Sequence, residues 1–204
     1  MNKFLPLLLL LAACADPVSS STSTSSTDAR QPEMQEKPLY EIQKLDDFNF
    51  QEIQGRALGR KDLLGKVWIA STMFTTCPTH CPVMCKEFYD LQEEFSKEED
   101  FRLLMLTVDP ARDTPEVLKG YAESYYARPD VWYFVRHPER KEIRRFVFEQ
   151  LKLPWDDNEP LNHSYRLALI DRKGVVRGHY AQINVGQMKQ LRKAIRELLA
   201  EDAS

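Results

Sequence analysis

The sequence predicts an α/β domain, a central mixed sheet flanked by helices, and three observations carry that prediction. Two near-continuous apolar runs, 67–74 (VWIASTMF) and 101–108 (FRLLMLTV), have the length and hydrophobicity of strands covered on both faces. Between them Met84, Phe88, Leu91 and Phe95 recur at spacings of four, three and four, the period of a helix with one apolar side. Near the C-terminus, 165–170 and 175–180 flank a D-R-K-G turn as a hairpin, and another helical pattern follows.

Bulk composition is that of one globular domain: 204 residues, 43% apolar and 29% charged. The net charge of −3 and the lack of any densely basic stretch argue against a nucleic-acid partner. Four cysteines are too few for a disulfide scaffold at this length. Three of them, Cys77, Cys81 and Cys85, fall within nine residues, which points to metal or redox chemistry.

In chain order, residues 1–14 read MNKFLPLLLLLAAC, with a single positive charge at Lys3 and a short apolar core. That core is too short to span a bilayer and has the form of a signal peptide. Leu11-Ala12-Ala13-Cys14 resembles the bacterial lipobox, so residues 1–13 are expected to be removed and Cys14 to be lipidated. The mature chain is then extracytoplasmic, on the periplasmic side and anchored to a membrane, where disulfides persist. Residues 14–38 contain an unbroken Ser/Thr run from 19 to 26 and no apolar periodicity, as expected of a flexible tether.

Residues 39–204 form the expected domain. The segment 48–69 reads as a strand pair: 48–53, a turn near Gly55, then a polar link through Gly65 into 67–69. The strand at 101–108 ends in D-P-A-R-D-T-P-E, where Thr114 can cap a helix with Pro115 in its first turn, running to about Tyr126. A third strand is expected at 131–135. Pro138 is expected to open a helix with Ile143, Phe146, Val147 and Leu151 on one face. The final helix, 185–199, would turn Val185, Met188, Leu191, Ile195 and Leu198 inward. Strand–helix–strand–helix, then hairpin and helix, with paired cysteines at the first strand-to-helix junction, is a thioredoxin-like order.

The cysteine stretch, 74–85, reads F-T-T-C-P-T-H-C-P-V-M-C. Its first cysteine should lie where a strand ends and a helix begins, where free backbone N–H groups and the helix dipole favour a thiolate. In an ideal helix, Cys77 and Cys81 at i and i+4 would lie about 6.2 Å apart at Cα, near the upper end of the disulfide range. The spacing suits a shared soft cation better, and thiolates select Cu(I) or Zn. Pro78 and Pro82 stiffen the frame around both cysteines.

F-T-T-C-P-T-H-C-P resembles the F-T-x-C-P-x-x-C-P motif of the Sco/SenC family. D-P-A-R-D-T-P resembles that family's D-P-x-R-D-T-P, and Asn162-His163-Ser164 resembles its metal-binding histidine segment, with Asn162 where the family usually has Asp. The likeness runs in order over roughly residues 40–200. It implies a thioredoxin-like, membrane-tethered protein that binds copper, as Cu(I) and Cu(II), through Cys77, Cys81 and His163. It also implies delivery to the binuclear copper site of cytochrome c oxidase, or to another copper acceptor, by a metallochaperone rather than an enzyme. The alternative is a thiol–disulfide oxidoreductase that keeps copper-site cysteines reduced and is itself served by thiol–disulfide reductants. In it Cys77 attacks and Cys81 or Cys85 resolves. Cys85 is an additional thiol that the sequence leaves open as a third sulfur ligand, a resolving thiol or a small buried apolar residue. A peroxidase is the third and least favoured reading, because its Cys-Pro pattern needs Thr three residues earlier and Phe74 stands there.

The remaining candidates are expected to be structural. His80 reads as a solvated first-turn residue, His137 as a helix-start residue and His179 as a strand residue. Asp109 and Asp113 read first as turn and capping groups, with shaping of the site as the second reading for both. Met73, Met84 and Met105 are expected in the core, and Asp156, Asp157 and Glu159 in a solvated loop.

Overall fold

The computed structural model describes residues 40–158 and 165–201. In order they form β1 (Gln43–Lys44), β2 (Asn49–Glu52), β3 (Ala57–Gly59), α1 (Arg60–Leu63), β4 (Val67–Met73), α2 (His80–Glu94) and β5 (Phe101–Thr107). There follow α3 (Pro115–Ser124), β6 (Trp132–Arg136), α4 (Arg140–Arg144) continued by a π-helical segment (Arg145–Gln150), β7 (Arg166–Ile170), β8 (Val175–Ala181) and α5 (Val185–Ala200). The strands make one sheet in the order β1-β8-β7-β4-β5-β6-β2-β3. The central β4, β5 and β6 run parallel, while β7 and β2 pair antiparallel on either side of them.

Alternation along β4 builds two cores. Val67, Ile69 and Met73 face α2, α3 and α5, joining Met84, Phe88, Leu91, Leu118, Leu191 and Ile195. Trp68 and Ala70 face the other way, against Leu63 of α1 and Ile143, Phe146 and Val147 of the α4 region. Because both faces are covered, all of β4 is buried, and that is why it reads as a continuous apolar run. Among the described residues no helix is long and apolar enough to cross a membrane.

The expected elements are present with four corrections. The polar link before 67 holds the second strand of the hairpin, β3, paired with β2 from Asn49↔Gly59 to Gln51↔Ala57, and then the single turn α1. Gly59 is required there, because a Cβ would lie 2.7 Å from the Phe48 carbonyl oxygen. The helix expected from Pro138 begins at Arg140 and widens into a π-segment, in which Leu151 N–H donates to Phe146 O five residues back at 2.8 Å. That widening leaves Ile143, Phe146, Val147 and Leu151 all buried. Val185, expected inward, is 73% exposed, because it is the first residue of α5 and precedes the buried Met188. The cysteine helix starts later than the motif suggested, at His80, so Cys77 lies before it and ideal i, i+4 geometry does not describe the pair.

Thr114 caps α3 as expected, its side chain accepting from Val117 N–H with Pro115 at the helix start. Asn184 does the same for α5, accepting from Gln187 N–H. Met73↔Thr107 closes the β4–β5 ladder, so the loops leaving the two strands emerge side by side. β7 enters antiparallel at that same end, with Arg166 O accepting from Ser71 Oγ at 3.2 Å. The C-terminal ends of the parallel strands thus gather the cysteine loop, the 108–114 loop and the start of β7.

Candidate functional site: a dithiol at the start of a helix

β4 ends at Met73, and the chain turns through 74–79 into α2. Cys77 N–H donates to Phe74 O at 3.2 Å, closing the turn that presents the first thiol. The Cys77 sulfur in turn accepts from Cys81 N–H at 3.5 Å, taking up one of the N–H groups that a helix start leaves without an intrahelical partner. Cys77 is 7% exposed and Cys81 wholly buried, so of the two only Cys77 retains any exposure.

The two sulfurs differ in acidity. Burial works against the Cys77 thiolate, but the backbone N–H groups of Cys81, Thr79 and His80, together with the Cys81 side chain, outweigh it and hold the thiol below its ordinary range. Cys81 is pushed the other way, first by burial and then by its neighbours Cys77 and Cys85, against a hydrogen bond to the Phe74 backbone. The reduced pair is therefore biased toward thiolate at Cys77 and toward the protonated thiol at Cys81. Such a pair can offer soft thiolate donors, form an internal disulfide, or attack another disulfide through Cys77.

Cys85 makes its own contacts with α3 and β5. It is wholly buried, its sulfur 3.6 Å from the Tyr121 hydroxyl and 3.9 Å from Met105 Sδ. Burial pushes its thiol up to about 12. Among the described residues no group of three or more His, Cys, Asp or Glu side chains is already gathered as a metal-ligand cluster. Of the three roles left open, the small buried residue is the one this packing fits.

His80, expected to be solvated, is half-buried in the first turn of α2, its ring centroid 3.8 Å from that of Tyr165. His163 lies outside the described residues, as do Asn162, Glu159 and the lipidation candidate Cys14. Tyr165, two positions beyond His163, is nevertheless described, with its carbonyl accepting from Gln182 N–H at 3.0 Å. The chain thus returns from the segment containing His163 directly against the residue before Cys81. His179 Nε2 donates to Leu151 O at 2.7 Å, and His137 Nδ1 accepts from Glu139 N–H at 3.0 Å, both structural as expected.

Asp113 departs from the first expectation. It is neither a cap nor a simple turn residue: its carboxylate is wholly buried and reaches back to the cysteine loop. Both oxygens lie 3.3 Å from Thr75 N, Thr75 Oγ donates to Oδ1 at 2.5 Å, and Thr107 Oγ donates to Oδ2. Asp109 remains a turn residue, paired with Arg112 at 2.7 Å. A buried acid recruited across 38 residues leaves no local pattern in sequence. The nearest signal was the apolar run of β5 ending in Thr107, which places an acid six residues later beside the neighbouring strand's loop.

The sequence profile of the SCO1/SenC family matches residues 37–200. A SCO1 protein homolog of Bacillus subtilis (strain 168) is 34% identical over 110 residues, covering 53% of this chain and 57% of that protein. A protein of Stutzerimonas stutzeri whose name describes it as copper-binding is 33% identical over 125 residues, covering 57% of this chain and 59% of its own length. The matches thus span less than two thirds of each relative. Among solved structures, BsSco, described with a disulfide switch and as a member of the Sco family of cytochrome c oxidase assembly proteins, superimposes with a TM-score of 0.70 at 26% identity. That match covers 82% of this chain and 98% of that one. The fold is thioredoxin-like, and the dithiol sits where its first parallel strand meets its helix. With the family profile spanning the whole described domain, the chain belongs to the SCO1/SenC family.

Proposed function

We propose that this protein is an extracytoplasmic copper chaperone that holds copper through Cys77, Cys81 and His163 and delivers it to the binuclear copper site of cytochrome c oxidase. The observation that carries the reading is the thiol pair itself: Cys77, nearly buried, with its sulfur on Cys81 N–H, and Cys81 wholly buried beside it. Two soft donors at a strand-to-helix junction favour Cu(I), and an imidazole from a separate segment supplies the third donor that also suits Cu(II). The Tyr165–His80 contact supports this, because it brings the chain to the first turn of α2 two residues after His163. A lipid on Cys14 and the tether to residue 38 would hold the domain at a membrane while letting it search for an acceptor.

A second activity is favoured by the asymmetry of the sulfurs. With Cys77 biased toward thiolate, its attack on an acceptor disulfide forms a mixed disulfide and expels one acceptor thiolate. Cys81, deprotonated as it reacts, then closes the Cys77–Cys81 disulfide and releases the second acceptor thiol, so the acceptor gains the two electrons this pair loses. An external thiol reductant must reset it. The disulfide form offers no thiolate, so oxidation and copper loading exclude each other.

Titration of the reduced chain with Cu(I) and Cu(II) tests the first reading. His163→Ala is expected to retain Cu(I) binding in part and to weaken Cu(II) binding by about 10- to 100-fold or more, at least the cost of losing a group that only orients ligands. Unchanged Cu(II) affinity in that variant would remove His163 from the site.

A further inference from the structure

We propose that Asp113 is the positioning residue of the Cys77–Cys81 pair, its buried carboxylate holding the cysteine loop, through Thr75, in the form that places the Cys77 sulfur on the first turn of α2. Neither local role open to an acid in this loop uses the carboxylate. Thr114 caps α3, and the 109–114 turn closes through backbone bonds, with Arg112 and Asp113 N–H both donating to Asp109 O at 3.1 and 2.9 Å. The carboxylate instead accepts from the Thr75 amide, the Thr75 hydroxyl and the Thr107 hydroxyl, all neutral donors, in a wholly buried site.

Its placement suits that role. Thr107 ends β5 beside Met73 of β4, and its hydroxyl oxygen also accepts from Asp109 N–H at 3.0 Å, so the acid is fixed to the rigid end of the parallel sheet. Thr75 stands two residues before Cys77, within the turn that Cys77 N–H closes on Phe74 O. Fixing Thr75 therefore fixes the approach of Cys77 to the Cys81 amide. A reduced pair held this way is favoured over its disulfide, since stabilising the reduced form raises a dithiol's tendency to stay reduced.

The test compares dithiol–disulfide equilibria in copper-free glutathione buffers for the wild type, Asp113→Ala, Thr75→Val and Asp171→Asn. Asp171 is the control: another buried carboxylate, accepting from Lys173 and Val175 N–H and pairing with Arg177, just after Ile170, which pairs with Trp68 near the opposite end of β4. Asp113→Ala is expected to raise the oxidised-to-reduced ratio about tenfold, roughly 30 mV. Thr75→Val, which keeps the amide but loses one hydrogen bond, should move the ratio in the same direction by about threefold. Asp171→Asn should lower the melting temperature and leave the ratio unchanged.

If Asp113→Ala and Thr75→Val lose stability with no change in ratio, as for Asp171→Asn, Asp113 is merely structural and the proposal is overturned. Should Asp113→Ala fail to fold, Thr75→Val decides alone. The Cu(I) affinity of the same reduced variants rests on the chaperone reading and should fall with the shift in ratio. A wild type that takes no Cu(I) would sink that reading, while the redox equilibria still decide the role of Asp113.

Discussion

Cys81→Ser, in the reduced chain, is expected to lower Cu(I) affinity by at least about 100-fold, since even groups outside a ligand set account for 10- to 100-fold. The variant should fold, because serine is close in volume to cysteine, but it places a hydroxyl where a wholly buried thiol lay and removes a soft donor. A competition assay with a Cu(I) chelator reads this directly. The same assay carries a sign for pH. Because burial holds the Cys81 thiol protonated through neutrality, Cu(I) must displace that proton to gain a second thiolate. Wild-type affinity is therefore expected to rise with pH from 6 to 8, by up to about tenfold per unit for each proton displaced. In Cys81→Ser the proton on Cys81 is gone and the slope should flatten. Loss of affinity without flattening would assign the displaced proton elsewhere.

Phe88→Ala is expected to destabilise the domain by about 3–5 kcal/mol, a large share of the roughly 5–15 kcal/mol that a domain of this kind has. Phe88 is wholly buried on the sheet-facing side of α2, with Trp132 of β6 at a ring-centroid distance of 5.5 Å. Met84 and Leu91, one turn to either side, are buried on the same face. Removing the ring leaves a cavity beneath the helix whose first turn holds Cys81. Chemical denaturation measures the loss, and the midpoint should fall with little change in slope. A cost below about 1 kcal/mol would mean that α2 is not held to the sheet by this face.

Most of what positions the site could be read from periodicity and local chemistry. The runs at 67–74 and 101–108 are near-continuously apolar because both faces of β4 and β5 are covered, and the spacing of Met84, Phe88, Leu91 and Phe95 is the buried stripe of α2 and its C-terminal cap. Thr114-Pro115 announced its helix because capping is a local interaction. What could not be read depends on contacts far apart in the chain. β3 is three residues beside charged neighbours and is a strand only because β2 is there to pair with it. The π-segment buries the same Phe146, Val147 and Leu151 that a regular helix would place on one face, so the apolar pattern does not distinguish the two. Cys85 stood at helical spacing from Cys81, yet its surroundings, Tyr121 and Met105, come from α3 and β5. Asp113 was legible as an acid in a turn, but its partner Thr75 lies on another strand's loop.

The central claim is that copper is held by two sulfurs and one imidazole, from Cys77, Cys81 and His163. X-ray absorption at the copper edge of the loaded wild-type chain tests it most directly. The account predicts a first shell of two sulfurs and one or more nitrogens, with the imidazole signature lost in His163→Ala. A shell of three sulfurs that loses one in Cys85→Ser, or an imidazole signature that survives His163→Ala, would contradict it.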